Sequence, residues 1–205
     1  MNHGHPSKLC GAIVLAALAV GGVGSAGAAE GGNFHVGVTA GFVGISPRGY
    51  DVDTSERGRG HVSGGFFVGA HLTNLKIGKD LPFFVEAGYQ DIARHRMTYH
   101  TGSGSSELTA RGHSTYVAAK LDIPFSERFG MFARLGVARS KIDGSTPPGA
   151  PVIDIDGRHT GVFTDVGLHY HLAPSLTLRG DVTGFNKASN NADAGALNVG
   201  VALRF

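Results

Sequence analysis

The chain has no tryptophan, one cysteine and almost no net charge. With Cys10 alone, no intramolecular disulfide can form. Cys10 also sits at the start of the N-terminal apolar run, the wrong place for a lipid-modified cysteine. The formal charge of +2 falls to about +1 once Lys8 is set aside, which leaves no bulk attraction to nucleic acid. No stretch of the chain after the N-terminal run reads as a helix, and the longest apolar run, Leu9 to Val23, is shorter than the ~20 residues a spanning helix needs. What is abundant is glycine, 33 residues of 205, too many for a helical domain and without a collagen period. Glycine at that density suits bends and a crowded inner face of a sheet.

The N-terminus reads as a secretory signal. Lys8 supplies the positive charge, Leu9 to Val23 the apolar segment, and Ala26-Gly27-Ala28 the small residues before a cut. Residues 1–28 are therefore expected to be removed, with a cut after Ala29 as the neighbouring choice, leaving 29–205 as one domain without cysteine. A retained membrane anchor is the competing reading.

The end of the chain carries the strongest pattern. From Leu197 to Phe205 every odd position is large and apolar, and every even one is small or polar: Ala196, Asn198, Gly200, Ala202, Arg204. A period of two is a strand with two unlike faces. Eight such stretches recur, at 34–43, 62–72, 82–92, 113–123, 131–139, 162–172, 176–185 and 196–205. Each is close to the ~9–11 residues of a tilted membrane strand. With no helix to cover so many apolar faces, the solution is an all-β, eight-stranded antiparallel up-and-down transmembrane β-barrel, apolar face to lipid and polar face to the lumen. A soluble sandwich is the alternative, but it gives no reason for connections that alternate long (45–61, 93–112, 140–161, 186–195) and short (73–81, 124–130, 173–175). Long connections belong at the cell surface and short ones in the periplasm. The long ones are rich in Gly, Ser, Asp and Pro and are expected to be mobile loops. Outward aromatics cluster at two levels, Phe34, Phe83, Tyr170 and Phe205 at one rim and Phe42 and Tyr89 at the other, as in an interfacial girdle.

Val85-Glu86-Ala87-Gly88-Tyr89, Ala119-Lys120-Leu121, Arg134-Leu135-Gly136, Leu176-Thr177-Leu178-Arg179 and the closing Val201-Ala202-Leu203-Arg204-Phe205 follow in an order and spacing that resembles the transmembrane domain of the outer membrane protein A family. The resemblance spans 33–205 and is strongest from Pro82 onward. It implies a structural protein of the Gram-negative outer membrane, of the kind grouped with porins. It does not extend to the family's usual peptidoglycan-binding domain, so cell-wall anchoring is not carried over. Phe205 resembles the terminal signal that barrel-assembly machinery reads.

An eight-stranded barrel is too narrow for an open pore, and side chains fill it. Glu86, Lys120, Arg134, Asp165, Arg179, Asp181 and Arg204 fall on inward positions, three acidic and four basic. Charges in such a space must pair. In the family, a lumen glutamate, lysine and arginine form a switchable network; Glu86, Lys120 and Arg179 match those positions, and His169 stands where a carboxylate is usual. Asp165, on the same face, is a substitute. The expected lumen network is thus Glu86, Lys120, Arg134, Asp165, His169, Arg179, Asp181 and Arg204, as a structural plug or as the gate of a small channel.

His169 and His171 share a strand face, with His35 and His71 inward near the same rim, but further ligands are not evident, so no metal and no other cofactor is expected. Asp165, His159, His113 and Ser114 near the outer rim form no defensible catalytic motif, and no enzyme activity is expected. The basic second loop, with Arg94, His95, Arg96, His100, Arg111 and His113, suits lipopolysaccharide phosphates. The expected function is a monomeric barrel that supports the envelope and displays four adhesin-like loops to an unknown extracellular partner; a gated channel is the alternative.

Overall fold

Strand pairing follows the alternation in sequence, and every strand meets its chain neighbour antiparallel. The computed structural model describes residues 33–47, 51–52, 62–77, 79–101, 104–145, 155–189 and 191–205. The signal segment 1–28 lies outside them. The wall consists of β1 (Phe34–Pro47), β2 (Val62–Ile77), β3 (Lys79–Thr101), β4 (Gly104–Pro124), β5 (Phe129–Ser145), β6 (Gly157–Ala173), β7 (Leu176–Phe185) and β8 (Ala192–Arg204). β8 pairs with β1, His35 facing Arg204 and Phe42 facing Leu197, and this closes the barrel. Asp51–Val52 adds a two-residue pairing along β3 beyond the wall.

The register sets the barrel's shape. Following hydrogen-bonded partners from His35 through Gly69, Glu86, Ala118, Gly136, Phe163, Phe185 and Ala194 returns to β1 at Ile45, ten residues further along. A stagger of ten over eight strands gives a tilt of about 40° at ordinary strand spacings. The inside is then just wide enough to be filled by side chains.

Along the middle of each strand the outward side chains are apolar and exposed: Phe34 and Phe42, Phe66 and Val68, Val117, Leu135 and Val137, Val166 and Leu168, Leu197 and Val199. In water this would be untenable; against acyl chains it is the stable face. Phe125 and Phe129 in the turn between β4 and β5 are also exposed, their rings 5.7 Å apart, and add to the aromatics at the rim that holds the short turns. At the other level Phe66 stacks on Tyr89, and Tyr89 on His113, at 5.6 and 5.8 Å.

Three sequence expectations are corrected. The connection 93–112 is not a loop for most of its length: β3 runs to Thr101 and β4 begins at Gly104, with a register shift between Ile92 and His95. Similarly β5 runs on to Ser145, and 73–81 shrinks to a tight turn between Ile77 and Lys79. Strands outlast the membrane because their backbone hydrogen bonds do not depend on lipid, while the apolar-outward signal does.

Above the membrane edge the alternation inverts. On β4, Leu108 and Ala110 are buried inward while Glu107 and Arg111 are exposed outward; on β5, Ile142 is buried between Lys141 and Asp143. Val43, Ile45, Ile92, Ile155, Phe163, Phe185, Ala192 and Ala194 join them in one apolar core. Where the wall meets water instead of lipid, the apolar side chains move inside, as in a soluble barrel. The lumen therefore has two layers, polar toward the termini and apolar toward the long hairpins.

A closed sheet of this kind resists detergent. Unheated refolded protein is expected to migrate differently from boiled protein in detergent gels and to give a β-type far-ultraviolet circular dichroism spectrum. A helical spectrum would contradict the architecture.

Candidate functional site: the charged lumen

The polar layer is built from inward positions of seven strands. Glu86 on β3 is fully buried and central. It accepts a hydrogen bond from Arg134 Nη1 at 2.9 Å and lies 2.8 Å from His35 Nε2, with Lys120 Nζ at 3.7 Å and Arg179 Nη1 at 3.8 Å. Arg134 on β5 is the hub on the cationic side. It also donates from Nε to Asp165 at 2.9 Å and from Nη1 to the Tyr116 hydroxyl at 2.9 Å, and its Nη2 is 2.8 Å from Asp165 and 3.7 Å from Asp181. Two carboxylates side by side hold a guanidinium fork more firmly than one, because the donors are planar and fixed.

Thr183, Asn198 and Arg179 satisfy the remaining carboxylate oxygens. Thr183 donates to Asp165 at 2.6 Å, Asn198 donates to Asp181 at 2.9 Å, and Arg179 donates from Nε to Asp181 at 3.0 Å. Arg179 Nη2 makes no hydrogen bond. Its guanidinium instead lies over Phe67 and Phe132, at 4.4 and 4.5 Å from the ring centres, where the ring faces favour a cation. Space for these rings comes from glycine: a Cβ on Gly37 would overlap Phe67, and one on Gly69 would overlap both His35 and Glu86. That accounts for part of the glycine load on inward positions.

Of the residues expected in the network, Glu86, Lys120, Arg134, Asp165, Arg179 and Asp181 are brought together. Lys120 divides itself between Glu86 and Asp122, the latter at 3.0 Å. Two are not joined to it by ion pairs. His169 stacks at 6.2 Å on Phe132 and lies 5.0 Å from His171, without a hydrogen bond from its ring. Arg204 sits at the mouth near the termini, 5.9 Å from the Phe84 ring, and forms no ion pair among the described residues. The pairing differs too: the nearest cation to Glu86 is Arg134, with Arg179 further off. His35, Tyr116, Asp122, Thr183 and Asn198 belong to the network beyond the set expected from sequence; inward parity marks each of them, but polar neutral residues and a rim histidine carry no signal of partnership.

The network leaves little room. Toward the termini lies a cavity of about 40 Å³, lined by His35, Lys120, His169, His171 and Arg204 among others. Toward the hairpins, only about 10 Å³ remains beside Tyr116, Arg134 and Asp181. One water needs roughly 10–15 Å³ by this measure, so the first holds a few waters and the second hardly one. Above that begins the apolar layer.

Other expected features do not converge. Among the described residues no three or more histidine, cysteine or carboxylate side chains group to hold a metal. His71 is 3.0 Å from Asn74, and His171 2.9 Å from Thr177. Ser114 faces the lumen and pairs with Ser140 at 2.8 Å, whereas His113 is exposed outside the wall and Asp165 is buried deep in the lumen, so these residues form no catalytic group. The side chains of Arg94, His95, Arg96 and His100 lie outside the described residues.

A family model for the outer membrane protein beta-barrel domain matches residues 13–205. The chain belongs to that family. Its members are barrels of the outer membrane, and the closed eight-stranded wall and charged lumen described above are this chain's version of that architecture. Among solved structures, the outer membrane protein OprG from Pseudomonas aeruginosa is similar with a TM-score of 0.56 and 13% identity, over 86% of this chain and 97% of that one. The attachment invasion locus protein Ail of Yersinia pestis is similar at 0.53 and 13%, over 85% and 99%. Its complex with the heparin analogue sucrose octasulfate gives 0.51 and 14%, over the same shares. At these identities the likeness is one of fold. No curated protein matches the chain.

Proposed function

We propose that this family member is a structural and surface-interaction barrel of a Gram-negative outer membrane, exported with residues 1–28 as a removable signal, inserted as a monomer among outer membrane lipids and lipopolysaccharide, and displaying its long hairpins to a partner outside the cell. The observation that carries this reading is the filled lumen: a buried ion-pair layer under an apolar layer, with Phe163, Ile142, Ile155 and Leu108 at no exposure. Such an interior supports the wall and offers no path through it. The β3–β4 hairpin, by contrast, runs well past the lipid-facing band, to its tip between Thr101 and Gly104, which suits contact with something beyond the membrane.

A small gated conductance is the second reading. It draws support from Lys120 and Arg179, both within 4 Å of Glu86 without bonding it as closely as Arg134, so that Glu86 has alternative cations in reach.

The test is complementation. Cells lacking the protein are expected to become sensitive to detergent and to regain resistance with the wild-type chain. A chain in which the hairpin tip from Thr98 to Glu107 is replaced by a two-residue turn is expected to restore resistance equally while losing adhesion to host-cell or matrix surfaces. If the trimmed chain keeps full adhesion, the surface-interaction role fails; if neither chain alters detergent resistance, the envelope role fails.

A further inference from the structure

On the outer wall of β4, β5 and β6, just beyond the lipid-facing band, five basic side chains point away from the barrel. Arg111, His113, Arg139 and Arg158 are exposed and Lys141 is half-buried. The register sets them side by side: Arg139 faces Thr115 and Thr160, and Lys141 faces both His113 and Arg158. Cross-strand neighbours stand about 5 Å apart at Cβ, and like charges placed directly opposite repel. Lys141 pairs with Asp143 at 3.1 Å, Asp143 also stands opposite Arg111, and Asp91 stands opposite His113; among the described residues Arg139 and Arg158 have no carboxylate opposite them. Arg111, Arg139 and Arg158 form no ion pair in the described structure.

Their height is set by the wall. Val117, Val137 and Val162 form one row of exposed, lipid-facing side chains. At a tilt of about 40°, the next outward position on each strand is about 5 Å higher. Arg139 follows Val137 directly; His113, Lys141 and Arg158 come one step later, then Arg111. The cations thus begin where acyl chains end. On the other side of the wall one outward row, Gly44, Gly195 and Gly184, carries no side chain.

We propose that this face is a binding site for a phosphorylated glycolipid of the outer leaflet. Its acyl chains lie on Val117, Leu135, Val137 and Val162, and its phosphates are held between Arg139, Arg158 and Arg111, with Lys141 and His113 between them. Guanidinium groups take phosphate oxygens two at a time, and Arg139 and Arg158, with no carboxylate opposite them, are the complement of a phosphorylated headgroup. This rests on the reading of the chain as an outer membrane barrel with its hairpins facing the exterior.

The experiment compares wild type with the double variant Arg139→Gln/Arg158→Gln, by thermal unfolding in phosphatidylcholine vesicles alone, with bisphosphorylated lipid A, with monophosphorylated lipid A, and with phosphatidylglycerol. The two variants are expected to unfold together in phosphatidylcholine, since both arginines are exposed. Bisphosphorylated lipid A is expected to raise the wild-type midpoint most, monophosphorylated lipid A less and phosphatidylglycerol least, with the double variant losing at least half of the lipid A shift. An equal shift with phosphatidylglycerol, or an undiminished shift in the double variant, overturns the site. Labelling of intact cells with a membrane-impermeant thiol reagent tests the reading beneath it: Glu107→Cys is expected to react and Glu127→Cys not to. The reverse pattern overturns the orientation while leaving the vesicle result to stand on its own.

Discussion

Replacing Arg134 by alanine is expected to destabilise the barrel by about 3–5 kcal/mol, the usual cost of removing one partner of a buried charge pair. The side chain is the one cation that joins Glu86 to Asp165, and both acceptors are fully buried as side chains. With it gone, Glu86 keeps His35 and the more distant Lys120 and Arg179, but Asp165 is left with Thr183 as its remaining hydrogen-bond donor. Arg179→Ala is expected to cost less, because Arg179 reaches Glu86 only at 3.8 Å and Asp181 retains Asn198 as a donor and the Arg134 guanidinium at 3.7 Å. Urea unfolding in micelles of Glu86→Ala, Arg134→Ala and the double variant measures the coupling directly. The double is expected to be less destabilised than the sum of the singles, by on the order of 1–3 kcal/mol. Strict additivity would mean that the 2.9 Å contact contributes nothing of its own.

The second large effect lies on the opposite face of the wall. Leu135 and Val199 are about three-fifths exposed and lie near mid-height of the lipid-facing band. An arginine at either position places a charge in the hydrocarbon layer and is expected to cost about 2–4 kcal/mol of folding free energy in a bilayer. Glu127→Arg, in the exposed turn between β4 and β5, is the control and is expected to be nearly neutral. Unfolding of the three variants from phospholipid vesicles in denaturant measures the difference, and equal costs would mean that the inner and outer faces are exchanged.

Much of this was legible in the order of residues. Wherever lipid bathes the wall, period-two alternation marks which side chains point out, and the same parity marks Glu86, Arg134 and Asp181 as inward. What parity does not carry is distance across the lumen. That depends on the stagger accumulated around eight strands, which brings Arg134, not Arg179, nearest to Glu86 and leaves Arg204 at the mouth. The apolar upper layer was hidden for a different reason. Leu108, Ile142, Ile155 and Ala192 lie in segments that look like loops, because beyond the membrane the apolar residues alternate inward and the polar ones outward. A search for outward apolar residues ends each strand at the membrane edge, although the hydrogen-bond ladder continues. In the second hairpin this hid nearly twenty residues of paired strand. His169 illustrates the limit of resemblance: its position is shared with the family's network, but an imidazole stacked on Phe132 does not replace a carboxylate.

The upper layer also bears on whether the lumen can conduct. Exchanging partners around Glu86 opens only the polar layer; Phe163, Phe185, Ile142 and Leu108 still close the barrel above it, and an apolar constriction without room for water blocks ions as firmly as a salt bridge. The most direct measurement is single-channel conductance of the refolded chain in a planar bilayer, wild type beside Arg134→Ala. The filled, two-layered lumen predicts no steady conductance in either. Discrete openings in the wild type that become more frequent or larger in Arg134→Ala would contradict it, and would make the ion-pair layer a gate.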